Sequence, residues 1–512
     1  MRVLLWAPAL LTTSVAMLGC GSAEMSDDHG DPVPPDTAPV CTNVDPSQAG
    51  PDGACGVFVS STLGSDDNPG TLERPVRSLE AAFVLALEGS RRVYACAEMF
   101  QEQAQVPAGV ELWGGLDCAD GWRYVGVTEK TTIAPIRAGV IPFRFLPGGG
   151  VARAVDVRAE AADGAQPSES SIAAIVLPGA QVEIVRGELV AGNGAPGADG
   201  EQGGGSGAPL AVANGAVGLP GADACGGDVV LGGAPVVTVC DGIESVSGKG
   251  GDGHMTYGED GGDGEPWPAS NPQGFGLGGY GQNSDHTQCM SGQVGLAGKD
   301  GEHGLGAVGF GRLTLDGWQG EKGQRGGDGL PGQGGGGGGG RRGPLHYECG
   351  PGQPQAGASG GSGGAGGCGG KGAEGGGYGG ASIGLISLSD NVTLRATTIT
   401  TGDGADGGRG GLWQGGGQGG QGGPGGIGVG SSVGACTGAR GGQGGNGGHG
   451  GGGLGGPTLG IAHIVEQPVT IEEVTIEIGN AGKGGLGGSP FVTLPGTTGQ
   501  DGLAASVQSF AR

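Results

Sequence analysis

The densest group of side chains able to do chemistry is Asp252, His254, Glu259, Asp260, Asp263 and Glu265, with Trp267 close behind. Clustered carboxylate oxygens suit calcium, and Asp252, Glu259, Asp260 and Asp263 are the candidate ligands. Their spacing matches neither an EF-hand loop nor the Gly-Gly-x-Gly-x-Asp nonapeptide of calcium-binding repeats. The better reading is charge that keeps a glycine-rich segment soluble. Calcium at this cluster is the only cofactor the residues suggest. The histidines (His29, His254, His286, His303, His346, His449 and His463) are scattered, and His463, within an apolar run, reads as structural. There is no serine-hydrolase elbow, and G-x-G-x-x-G carries no information in so glycine-rich a chain. Asp66 and Asp67, next to Asn68-Pro69-Gly70, read as turn formers. No catalytic residue is assigned.

Cysteine is the other reactive type. Residues 1–19 carry Arg2, an apolar run from Val3 to Leu11, and Met17-Leu18-Gly19 before Cys20, the pattern of a secretory signal peptide. Met17-Leu18-Gly19-Cys20 resembles the bacterial lipobox, in which the cysteine is diacylated and becomes the N-terminus. That resemblance implies a membrane partner through lipid on Cys20. Gly21 lacks the aspartate of inner-membrane retention, so the expected location is the outer membrane and the cell surface. Of the 11 cysteines, removing Cys20 leaves an even set. These are Cys41, Cys55, Cys96, Cys118, Cys225, Cys240, Cys289, Cys349, Cys368 and Cys436, a disulfide set for an oxidising compartment. The local pairs Cys41–Cys55, Cys96–Cys118 and Cys225–Cys240 are the first expectation. No C-x-x-C pair occurs, which argues against zinc ligation and dithiol redox work.

Composition narrows the class. A net charge of −26 with no basic cluster would repel a phosphate backbone, so nucleic acid is not an expected partner. Glycine makes up 132 of 512 residues, leaving few side chains for a conventional core. Residues 20–50 are acidic and proline-containing, and read as an extended tether.

Residues 51–192 hold the most ordinary sequence. Val57-Phe58-Val59 predicts a strand. Ser78 caps an expected helix over Leu79–Glu88, which stops at Gly89 and has Leu79, Phe83 and Leu87 on one face. Strand patterns follow at Arg92–Cys96, Val110–Trp113, near Ile133, Phe143–Leu146 and Val151–Arg158. Gly64-Ser65-Asp66-Asp67-Asn68-Pro69-Gly70-Thr71 with Pro75 and the following helix, and then Val106-Pro107-Ala108-Gly109-Val110-Glu111-Leu112-Trp113-Gly114-Gly115, resemble the entry coils of pectate-lyase-like right-handed parallel β-helix proteins. The resemblance implies polysaccharide as a ligand or substrate. Lyase chemistry on such a fold would need a carboxylate with a base, for which Asp156 with Arg153 or Arg158 supplies the types. Outward-facing strand residues explain them equally well. Trp113, Trp122 and Tyr124 are the aromatic residues for sugar stacking, or else caps on the core.

Internal repetition makes the strongest architectural argument. Val182, Ile184, Leu189, Gly192 and Gly194 share their spacing with Val392, Leu394, Ile399, Gly402 and Gly404, and with Val469, Ile471, Ile476, Gly479 and Ala481. A further short apolar strand precedes each copy, at Ile172–Leu177, Ile383–Leu388 and Ile461–Val465. No copy can bury its apolar face alone, so stacking must supply the core. The expected fold is an all-β right-handed parallel β-helix with coils at 51–192, 381–402 and 457–479. Glycine-rich arms interrupt it at 193–380 and 403–456, and a last arm with the C-terminal end fills 480–512.

The arms mix collagen-like triplets, as in Gly317–Gly326, with Gly-Gly-x runs, as in Gly441–His449. Gly-Gly-x favours threefold extended strands that bundle through backbone hydrogen bonds. Six of the paired-cysteine candidates lie in the arms, which argues for compact arms over disordered ones. The Gly-Gly-x segments also resemble mycobacterial glycine-rich surface repeats. The functional expectation is a lipid-anchored, non-enzymatic surface protein for structure or adhesion. The alternative is a β-helix that binds or degrades extracellular polysaccharide.

Overall fold

The computed structural model describes residues 45–464, 469–489 and 495–511; the signal peptide, Cys20, Cys41 and the tether up to residue 44 lie outside the described residues. Three parallel sheets wind into a right-handed β-helix. The first runs through Val57–Val59, Arg92–Cys96, Glu111–Asp117, Val151–Val155, Gln181–Val185, Asn391–Arg395 and Thr470–Glu472. The second stacks Met99–Phe100, Thr131–Ile133, Val157–Glu160, Glu188–Ala191, Thr398–Thr401 and Thr475–Glu477. The third stacks Ala104–Val106, Phe143–Phe145, Ser171–Val176, Ser382–Ser387, Thr458–His463 and Ala504–Ser509.

The repeat spacing is the stacking register. Val182 pairs with Val392 and Ile184 with Leu394, which pairs in turn with Ile471. Leu189 pairs with Ile399, and Ile399 with Ile476. Each column of aliphatic side chains points into the solenoid, where Ile184, Leu189, Leu394 and Ile399 are fully buried. The helix Leu79–Glu88 closes the first coil, with the Ser78 hydroxyl accepting from the Ala81 N–H. Its buried face is Leu79, Ala82, Phe83 and Ala86, so Leu87, expected on that face, is exposed. Each four-residue step overshoots a turn by about 40°, so Leu87 lies about 80° round from Leu79 and past the contact stripe.

The expected single strand Val151–Arg158 is two strands. Asp156 adopts φ 52°, and the chain turns there from the first sheet to the second. Arg186, Ala396 and Glu473 occupy the same corner in later coils with φ of 50°, 46° and 56°. Non-glycine residues in this left-handed region turn the chain sharply at some steric cost, which packing on both sides must hold.

All three arms leave at one corner. They follow Glu188–Ala191, Thr398–Thr401 and Thr475–Glu477, and return to the third sheet. The first arm also covers that sheet's outer face. Trp318, in the hairpin formed by Arg312–Thr314 and Gly317–Gln319, packs in a cluster with Ile172, Ile175, Ile383, Ile386 and Leu459. The third-sheet strands from Ser171 to His463 are thereby buried on both faces, in keeping with their unbroken apolar sequence.

Candidate functional site

The arms are a single bundle of threefold extended strands. Its centre is the run of seven glycines from Gly334 to Gly340. Successive N–H groups point 120° apart and donate in rotation to three neighbours. Gly334, Gly337 and Gly340 donate to Glu265, Gly262 and Glu259, all at 2.9 Å. Gly335 and Gly338 donate to Gly364 and Gly361, and Gly336 and Gly339 to Gln293 and Met290. Three more strands donate inward, as from Gly248 to Gly335, Gly279 to Gly337 and Ala439 to Gly336. Six strands thus surround one. A Cβ at any of the seven positions would overlap neighbouring backbone, which is why the run contains nothing but glycine.

Sequence pattern follows depth. A strand with neighbours all round needs glycine, or a very small residue, at every position. The 359–370 segment is such a strand and is wholly buried; its non-glycine residues are Ser359, Ser362, Ala365 and Cys368. Gly-Gly-x strands such as 438–451 turn two positions inward and the third outward. The Gly-x-x triplets lie on the rim, where only every third residue meets a neighbour: Gly295, Gly298, Gly301 and Gly304 donate to Arg440, Gln443, Asn446 and His449. Collagen-like sequence here builds a bundle edge, not a triple helix.

Acidic and amide side chains close the edges. In a Gly-x-Asx triplet the side-chain oxygen accepts the N–H that would otherwise face solvent on the next strand. Asp199 takes the Arg409 N–H, Asp223 that of Ile427, Asp300 that of Asn446, and Asp406 that of Lys483, at 2.6–2.8 Å. At the corner where the arms leave, Asp163, Asn193 and Asp403 form a ladder that accepts from Asn193, Asp403 and Asn480 in turn.

The calcium candidates belong to this scheme. Asp260 accepts the Gly281 N–H and Asp263 that of Gly278. Asp252 accepts from Gly232 and pairs with Lys249, while Glu259 holds the His254 ring at 3.0 Å. They do not converge. Among the described residues the only compact group of metal-ligand types is Cys96, Glu98 and Cys118. Its two cysteines are joined to each other, and Glu98 is occupied by Ser60, Ser61 and Thr62. Burial alone would raise the Glu98 pKa, but those hydrogen bonds outweigh it and hold the carboxyl below its ordinary value.

Four disulfides join described cysteines: Cys96–Cys118, Cys225–Cys349, Cys240–Cys368 and Cys289–Cys436. Cys55 is also disulfide-bonded, and Cys41, its expected partner, lies outside the described residues. The expected local pair Cys225–Cys240 is replaced by links spanning 124 and 128 residues. In the bundle, strands adjacent in space are remote in sequence, so proximity along the chain misleads. Disulfides of this kind suggest an oxidising, extracellular or periplasmic setting. No helix among the described residues is long and apolar enough to cross a membrane.

Asp156 is 1 % exposed. Arg186 grips it with Nε at 3.0 Å and Nη2 at 2.7 Å, and the Tyr124 hydroxyl donates to it at 3.0 Å. Lys130 lies at 3.7 Å, and Asp45 holds the far side of Arg186 at 3.2 Å. Burial and the adjacent Asp156 charge push the Tyr124 phenol up to about 12. The expected partners are elsewhere: Arg153 pairs with Glu183, and Arg158 with Glu160 and Glu188. They stand on strands that face away from the corner, whereas Arg186 sits one coil above Asp156 in the same corner column. The carboxylate is saturated and sealed from any substrate. Trp113 and Trp122 are buried against Phe58 and Tyr94, so they cap the core and offer no face to a sugar. No family model matches this chain, and no curated protein or solved structure is similar to it.

Apart from those that pack on the solenoid, such as Trp318 and Leu454, many large aliphatic side chains of the arms point outward. Leu231, Val308 and Ile427 are 67, 71 and 70 % exposed. Where strands meet through glycine alone there is no interior volume for such side chains.

Proposed function

We propose that this is an exported, lipid-anchored surface protein in which the β-helix is a stalk and the glycine bundle a rigid, non-enzymatic face for adhesion or envelope structure. The observation that carries the reading is the bundle itself: backbone saturated inside, disulfide-braced, and studded outside with apolar side chains that a purely solvated spacer would lack. Anchoring through Cys20 and an outer-membrane location rest on the lipobox-like sequence and on cysteine parity. The pectate-lyase-like and mycobacterial resemblances fit the stalk and the arms respectively.

The direct test replaces Leu231, Val308 and Ile427 by serine and measures attachment of cells bearing the protein to hydrophobic and hydrophilic surfaces. Reduced attachment with an intact fold supports an adhesive face; unchanged attachment and unchanged self-association overturn it. Fractionation after Cys20→Ala tests the anchor, since continued membrane retention defeats it. Release of unsaturated or reducing ends from polysaccharides by the purified protein would defeat the non-enzymatic reading.

A further inference from the structure

Three of the side chains that close bundle edges are asparagines, and each is followed by glycine: Asn193-Gly194, Asn214-Gly215 and Asn446-Gly447. Asn-Gly is the dipeptide most prone to cyclise, because no side chain on the glycine hinders its nitrogen from reaching the preceding carboxamide carbon. The glycine N–H loses its proton to hydroxide, the nitrogen bonds to Cγ, and the carboxamide nitrogen leaves as ammonia after taking a proton from water. Water then opens the cyclic imide at one carbonyl or the other, leaving aspartate or isoaspartate.

In the folded bundle neither partner in that reaction is free. Asn193 Oδ1 accepts the Asp403 N–H at 2.8 Å, while the Gly194 N–H donates to the Asp403 carbonyl at 2.9 Å. Asn214 Oδ1 accepts the Gln418 N–H at 2.8 Å, while the Gly215 N–H donates to the Gln418 carbonyl at 2.8 Å. In both cases one facing residue holds the carboxamide with its N–H and the glycine with its C=O, and so keeps nucleophile and electrophile apart. Asn446 Oδ1 accepts the Gly416 N–H at 3.2 Å and the Gly447 N–H donates to the Gln414 carbonyl at 3.0 Å, a hold shared between two residues. Exclusion of water is not what protects these sites, since Asn193 and Asn214 are exposed. The glycine N–H must be freed, and hydroxide has to remove the same proton that base-catalysed amide exchange removes. The opening that exchanges the glycine amide therefore also admits cyclisation.

We infer that Asn193, Asn214 and Asn446 are latent covalent modification sites, clamped while the strands are paired and converted once a strand opens. The two products differ in consequence. Aspartate is silent, because Asp199, Asp223, Asp300 and Asp406 close edges in the same way. Isoaspartate routes the main chain through Cβ, adds a backbone atom and puts every later N–H of that strand out of the threefold phase. An arm that has opened and formed isoaspartate does not reseat, so the chain keeps a chemical record of its own opening. This assignment is independent of lipid anchoring and of the adhesive reading, since it concerns the strand edges and not the apolar surface.

Peptide mapping by mass spectrometry, with electron-transfer fragmentation to tell isoaspartate from aspartate, tests it on the full chain held in mildly alkaline buffer. One sample stays oxidised and native; the other is reduced, alkylated and unfolded in guanidinium chloride. All three asparagines should convert in the unfolded chain and about 30-fold or more slowly in the native one, each native rate following the amide exchange of its own glycine. Gln418→Pro removes the N–H that holds Asn214 but keeps the carbonyl that holds Gly215, at an exposed rim position whose extended backbone suits proline. It should speed conversion about three- to tenfold at Asn214 alone. When unfolded chains are allowed to reoxidise, isoaspartate should be confined to protease-sensitive material, while aspartate is shared with the resistant bundle. Equal rates in native and unfolded chains, an unchanged Asn214 rate in Gln418→Pro, or isoaspartate within the resistant fraction overturns the assignment.

Discussion

Gly337→Ala should unlock the bundle. Gly337 donates to Gly262 at 2.9 Å and accepts from Gly279 at 2.9 Å, and its missing side chain faces the Lys249 carbonyl. A methyl group there must push the 248–251 strand away. Overpacking of this kind costs about 1–3 kcal/mol. Stretching the two hydrogen bonds adds about 1 kcal/mol each. Alanine's smaller unfolded-state entropy returns about 0.4–1 kcal/mol. A net loss of about 2–4.6 kcal/mol follows, which corresponds to about 30- to 2,000-fold faster amide exchange in the strands around Gly337, at roughly tenfold per 1.4 kcal/mol. Gly149→Ala, in a solenoid turn with nothing near its Cβ direction, is the matched control. Hydrogen exchange read by mass spectrometry decides the matter. If the two variants protect the 248–251, 258–265 and 279–282 segments equally, the close-packed bundle is refuted.

Asp156→Asn removes the charge that Arg186 and Lys130 face, and should lower stability by about 3 kcal/mol in urea unfolding, since a half-broken buried pair leaves its partner unmet; a loss under about 0.5 kcal/mol would show that the pair is not needed. Hydrogen bonds from Gly372, Lys371 and Arg325 overcome the effect of burial and lower the Asp328 pKa from 3.8 to about 2. Its contribution is therefore complete above pH 3.8 and is lost as pH falls toward about 2. At 38 % exposure solvent screening reduces it to about 1 kcal/mol, so Asp328→Asn should flatten acid unfolding in that window, and an unchanged profile would disprove the assignment. Reduction of Cys225–Cys349, Cys240–Cys368 and Cys289–Cys436 should speed limited proteolysis of the arms, each link being worth about 2–4 kcal/mol. Equal digestion with and without reductant would contradict that.

The solenoid was legible because its repeat encodes register directly: Val182, Val392 and their companions keep the same offsets in sequence that they keep in space. The corner residues were harder. Asp156 looked like any strand residue, since a left-handed turn leaves no periodic trace when the residue is not glycine. Gly-Gly-x spacing announced threefold strands, but not which strands meet. Contacts such as Gly337 with Gly262 involve interchangeable glycines, and only the cysteines mark particular neighbours. His303 and His449, 146 residues apart, become adjacent through that pairing, and no local signal links them.

The common departure corner also bears on how such a chain changes over generations. The arms meet one another through backbone at every third residue, so their partners do not distinguish one unit from the next. An in-frame slip that adds three residues lengthens a rim strand by about 9 Å and leaves every other contact in phase. A slip of one residue turns all later side chains by 120° into neighbouring strands. The arms are therefore expected to vary among descendants in steps of three, while the solenoid coils that carry them hold a fixed length.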